Sequence, residues 1–161
     1  MTFNATPSDP LANSYCDVAF ADEYWGQRLY GTTWLAADVP TKQQALIQAT
    51  MALDNYDYVG VKGVQGQALR WPRYGGKDQD GYPLPLDVVP NRMKQATAEL
   101  AGSLLSEDRT SDNGMTNLKE LKVGPIQITF DENQRLNNLT PFVRQMINPF
   151  LKTVYAKVVR S

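Results

Sequence analysis

Between Asp57 and Val89 the chain carries nine glycines and prolines: Gly60, Gly63, Gly66, Pro72, Gly75, Gly76, Gly81, Pro83 and Pro85. Each glycine costs a helix interior about 1 kcal/mol relative to alanine, and each proline about 3 kcal/mol. No regular helix crosses such a stretch, so the sequence divides into helical segments on either side of one long irregular loop. Long loops within a domain serve binding or assembly, or lack fixed structure. The aromatic residues Tyr58, Trp71, Tyr74 and Tyr82 speak against the last of these.

Periodicity places the helices. Asp17 can cap a first helix from about Val18 to Leu29, with Val18, Ala21, Tyr24, Trp25 and Leu29 on one face. Thr41 and Gln44 suggest a T-x-x-Q capping box for a second helix reaching about Tyr56, with Leu46, Ala49, Leu53 and Tyr56 in one stripe. A third starts at Pro90, where Met93, Ala96, Thr97, Leu100, Ala101 and Leu104 recur at i, i+3, i+4, i+7, i+8 and i+11. Its small residues Ala96, Ala98, Ala101 and Gly102 invite close approach by a neighbouring helix. Pro141 opens a fourth, halted near Pro149. The alternation Ile126, Ile128, Phe130, preceded by Leu118–Val123 and a Gly124-Pro125 turn, predicts a hairpin. Residues 106–116 read as a polar loop. The expected fold class is mainly α: a small bundle of about four helices with a β-hairpin, a long irregular loop and an extended C-terminal arm. The expected organisation is one domain over 1–150, with 1–14 as an irregular lead-in and 151–161 as the arm.

Bulk composition narrows the chemistry. The chain has 161 residues, no histidine and one cysteine, Cys16. Lacking histidine, it lacks the commonest general base and the commonest metal ligand together. A single cysteine excludes an internal disulfide framework and suits a reducing compartment. The N-terminus has no basic residue leading into an apolar run, and no segment is long and apolar enough to span a bilayer, so neither a secretory signal nor a membrane partner is expected. Phosphate loops, dinucleotide fingerprints and paired-cysteine metal motifs are missing. Asp78-Gln79-Asp80-Gly81 fits a calcium loop poorly, because Gly76 falls where a carboxylate belongs, and fits an Asx-type turn well. The expectation is a protein that is not an enzyme and uses no cofactor.

Charge is uneven. Seven acids and two bases lie in Met1–Val61, whereas Pro141–Ser161 holds Arg144, Lys152, Lys157 and Arg160 with no acid. The last eleven residues also alternate, with Val154 and Val158 on one side and Tyr155 between them. A basic segment with strand character can add to a partner's sheet, or pack back on its own hairpin. The other candidate site is Arg70-Trp71-Pro72-Arg73-Tyr74, with Lys77 nearby. Cations interleaved with aromatics can bind single-stranded nucleic acid by phosphate contact and base stacking. The same cluster can be an assembly anchor, with Trp71 plugging the core and the arginines pairing with acids of a neighbouring subunit.

The ordered series Ser14-Tyr15-Cys16-Asp17-Val18, Ala21-Asp22-Glu23-Tyr24-Trp25, Gln43–Thr50, Gln67-Ala68-Leu69-Arg70-Trp71-Pro72-Arg73, Asp80-Gly81, Val89-Pro90 and Lys122-Val123-Gly124-Pro125-Ile126 resembles the head–tail connector, or head-completion adaptor, proteins of tailed bacteriophages. The resemblance implies a structural virion protein: a ring, commonly of twelve copies, that joins the portal protein to a stopper, tail-terminator or tail protein and extends the DNA channel. It implies assembly in the host cytoplasm, residence in the virion neck, and weak non-specific contact with genomic DNA. Arg70, Trp71, Arg73, Tyr74 and Lys77 would then form the assembly loop, and Lys152, Val154, Tyr155, Lys157, Val158 and Arg160 the portal-docking arm. Some relatives in that resemblance are labelled DnaT-like single-stranded DNA-binding proteins, which gives the alternative reading: a replication protein that binds single-stranded DNA.

Overall fold

A computed structural model describes residues 2–106 and 139–152, together with the backbone of residues 120–123 and 126–129. The fold is mainly helical, as the periodicity predicts. Its helices are α1 (Val18–Gly26), α2 (Thr32–Ala36), α3 (Val39–Asp54), α4 (Asn91–Leu104) and α5 (Pro141–Ile147), the last running into a 3₁₀ turn, Asn148–Phe150. Two antiparallel ladders accompany them: β1 (Val61–Lys62) with β2 (Arg73–Tyr74), and β3 (Glu120–Val123) with β4 (Ile126–Thr129). In the second, Val123 pairs with Ile126 and Glu120 with Thr129, which is the expected hairpin in slightly shorter form. Most of the polar loop at 106–116 and the arm residues Val154, Tyr155, Lys157, Val158 and Arg160 lie outside the described residues.

Helix α4 is the hub, touching α1, α3 and α5. Of its predicted stripe, Met93, Ala96, Thr97, Leu100 and Ala101 are buried and Leu104 is half-buried, and the Thr97 hydroxyl donates to the Met93 carbonyl at 2.8 Å, so it brings no unsatisfied group inside. Gly102 explains how α1 packs so closely. A Cβ there would lie 2.2 Å from Cζ2 of Trp25, whose ring occupies the space while its N–H donates to the Ala98 carbonyl at 3.0 Å.

Two helix boundaries differ from expectation for local reasons. Helix α1 ends at Gly26 instead of Leu29, because the chain doubles back at Gly31, where any Cβ would meet the Trp25 carbonyl oxygen at 2.3 Å. Leu29 and Tyr30 consequently face solvent, and the short helix α2 follows, whose Trp34 is buried and donates to Asp22 at 2.8 Å. Helix α3 starts two residues before the suggested T-x-x-Q box. Asp38 is its cap, accepting from the Thr41 backbone N–H at 3.3 Å, and Pro40 sits in the first turn, where its missing N–H costs nothing.

Candidate functional site

The loop at 57–89 is ordered by polar anchors as much as by apolar burial. Arg73, 6% exposed, spends its guanidinium on main-chain oxygens. Nε donates to Val59 at 2.9 Å, Nη1 to Arg70 at 3.1 Å, and Nη2 to Tyr58 at 3.3 Å and Gly60 at 2.5 Å. Desolvation, with the Arg70 charge beside it, lowers its pKa. The buried Gln67 amide donates to Leu69 at 2.8 Å and Pro72 at 3.0 Å and accepts from the Val64 N–H at 2.9 Å. Lys62 Nζ donates to the carbonyls of Gln67 and Ala68 at 3.0 and 3.2 Å. Asp54, at the end of α3, accepts from the Arg70 N–H at 2.8 Å and from the Tyr15 hydroxyl, tying loop, helix and N-terminal segment together.

Trp71 is the apolar anchor. It is 2% exposed and meets Tyr58 and Phe150 edge-on, with ring centroids 5.5 and 5.2 Å apart. Its indole N–H has no hydrogen-bond partner among the described residues. The peptide after it, to Pro72, is cis. The C-terminal end of the bundle closes on the same place: the Val59 N–H donates to the Phe150 carbonyl and the Lys152 N–H to the Asp57 carbonyl, both at 2.9 Å. Leu151 and Lys152, expected as the root of an extended arm, are thus paired with the chain's own loop.

The interleaved cluster is therefore split in two by the ladder. Successive residues of a strand face opposite ways. The pair Lys62–Arg73 turns toward main-chain acceptors, and the pair Val61–Tyr74 turns to solvent, each 63% exposed. Beyond β2, a Lys77–Pro83 bridge carries a turn in which Asp78 Oδ1 accepts from the N–H groups of Asp80 (3.0 Å) and Tyr82 (2.8 Å), an Asx-type turn with Gly81 at φ +89°. Tyr82 is 70% exposed, and Lys77 is exposed with no ion pair among the described residues. Arg70 is half-buried and pairs with Asp57 at 3.3 Å. Of the five predicted loop residues, then, Trp71 and Arg73 hold the loop, Arg70 is shared, and Tyr74 and Lys77 are presented outward. Sequence reasoning missed Tyr82 and Val61 as their companions; the two-residue ladder is too short to leave an alternating pattern.

Two further titratable side chains are held within the packing of the bundle. Burial pushes the Cys16 thiol up to about 12, which keeps it protonated and unreactive. The Lys42–Asp22 pair at 2.9 Å packs against Trp34.

A family model described as "Putative DnaT-like ssDNA binding protein" matches residues 1–161, the whole chain. No curated protein and no solved structure gives a significant match. The full-length match corrects the resemblance to bacteriophage head–tail connectors. The ordered motifs from Ser14 to Ile126 fall within this family, and nothing supports a virion neck adaptor, a head-completion or portal-binding role, a dodecameric ring, or portal and tail partners. The chain belongs to the DnaT-like ssDNA-binding protein family.

Proposed function

We propose that this protein binds single-stranded DNA, without catalysis, through the outward face of the loop at 57–89. The observation that carries the reading is the sorting of that loop's side chains: its polar anchors reach main-chain acceptors, while Tyr74 on the β1–β2 ladder and Lys77 and Tyr82 at the bridge that follows it stand exposed. The family match supports the choice of ligand. Exposed tyrosines offer flat faces on which unstacked bases rest, and such stacking is worth about 1–3 kcal/mol per base. A duplex keeps its bases stacked internally and cannot use that surface.

The electrostatics make the binding stacking-led. The loop has four bases (Lys62, Arg70, Arg73, Lys77) and four acids (Asp57, Asp78, Asp80, Asp87), and two of the bases are committed to carbonyls. With one or two cations left for phosphate, log affinity against log salt has a slope of about −1, because each neutralised phosphate on a single strand contributes roughly −0.7. Fluorescence anisotropy of a labelled oligothymidylate, titrated with protein at several salt concentrations, tests this. Preference for the single strand over a duplex of equal length, with a shallow slope, is expected. Equal affinity for both forms with a steep slope contradicts it.

A further inference from the structure

A cleft of about 250 Å³ opens between the loop and the C-terminal end of the bundle. Its open walls are Val59, 40% exposed, and the exposed Pro149, while Trp71 and Phe150, 2% and 5% exposed, close its inner end. Its floor is bare main chain at Gly75 and Gly76. A Cβ on Gly76 would lie 3.2 Å from Leu84 Cδ1 and 3.5 Å from Trp71 Cη2, so a side chain there would crowd the wall. Lys77 stands on the rim, exposed and without an ion pair among the described residues. Asp78 is also on the rim, with Oδ1 held by the turn.

We infer that this cleft receives one unstacked nucleobase of the bound strand, while Lys77 meets a flanking phosphate. Its volume falls below the roughly 300–1,000 Å³ of pockets for drug-sized ligands, which suits a single ring system. Val59 and Pro149 cover the faces of a base whose edge reaches Trp71 and Phe150, and the rim cation fixes which side the backbone passes. The Asp78 carboxylate repels phosphate, so the strand runs on the Lys77 side. Tyr74 and Tyr82 then stack neighbouring bases outside the cleft, giving the loop one base held inside and others resting on its surface. This inference rests on the single-stranded DNA reading and adds the subsite to it.

The experiment is photocrosslinking of the full-length protein to an oligothymidylate of about 20 nucleotides with 5-iododeoxyuridine at one position, followed by mapping of the linked peptide. Binding is confirmed first by anisotropy with the unmodified oligonucleotide. A crosslink on Trp71 or Phe150 is expected. Val59→Trp, which fills the cleft from a 40% exposed position, is expected to abolish that crosslink and lower affinity about five- to hundred-fold, the loss of one stacked base. Crosslinks confined to Tyr74 and Tyr82, or to a distant surface, overturn the cleft while the oligonucleotide still binds. Failure of the unmodified oligonucleotide to bind overturns both readings. The crosslink map of the unsubstituted protein decides the matter even where Val59→Trp folds poorly.

Discussion

The bundle and the loop reach order by different means. In α1, α3 and α4, apolar side chains at helical spacing meet in one buried cluster, and most polar groups stay outside. The loop, with its many glycines and prolines, has little repetitive hydrogen bonding of its own. A guanidinium, an amide, an ammonium and a carboxylate collect its carbonyls and N–H groups, and one tryptophan pins it to the core. A bundle face is used up in packing. A loop tied down from within leaves its outer residues unoccupied, and that is where Tyr74, Lys77 and Tyr82 are found.

The contrast can be broken most severely at Trp71. Trp71→Ala removes a ring packed on Tyr58 and Phe150, and large aromatic truncations in a core cost about 3–5 kcal/mol. Chemical denaturation should show that loss, together with a loop digested faster by protease. Unchanged stability would mean the ring is not part of the core. Next comes Arg73→Met, which keeps much of the volume but leaves buried carbonyls without donors, at about 1–3 kcal/mol. Hydrogen exchange should quicken across 57–75 before it quickens in α3 or α4; uniform acceleration would show that loop and bundle unfold as one unit.

A smaller effect separates the two regions by pH. Burial raises the Cys16 thiol from 9.0 to about 12 and also raises the Tyr15 and Tyr58 hydroxyls above 10.0. All three are neutral in the folded protein, and the unfolded chain releases their protons first as pH rises. The contribution of Cys16 is complete below about 9 and is lost as pH climbs through 9–12, and those of Tyr15 and Tyr58 begin to be lost only above 10.0. Thermal midpoints should be level near pH 7–8 and fall above pH 9, with Cys16→Ala softening only the first part of the decline. A flat profile to pH 11 would contradict the burial of these groups. Least of all should Tyr74→Ala matter to folding: at 63% exposure its effect on stability is within about 0.5 kcal/mol.

The same division decides what could be read in the sequence. The stripe of α4 was legible because burial there follows a 3.6-residue period, and the β3–β4 hairpin because Ile126 and Ile128 alternate with polar residues in the sequence. The cap at Asp38 is masked in the sequence by Thr41 and Gln44, which make a capping motif of their own. Inside the loop, residue type misleads. Arg73 looks like a ligand-binding cation, since arginine is rarely buried unless paired, yet it is an internal clamp, and Tyr58, Val59 and Gly60 among its acceptors lie more than ten residues away. Tyr74, its immediate neighbour, points outward only because the ladder with Val61 turns it so. Motif order, too, was shared between two labels, connector and DNA-binding, and the family match across the chain chose between them.

We propose that the outward loop residues bind single-stranded DNA while the inward ones hold the fold. This is tested most directly by the affinity of Tyr74→Ala/Tyr82→Ala for a labelled oligothymidylate, measured beside the unsubstituted protein at one salt concentration. The expected variant has an unchanged thermal midpoint and an affinity lower by at least about ten-fold, the loss of one or two base stacks. A fully stable double variant that binds as tightly as the original would contradict it.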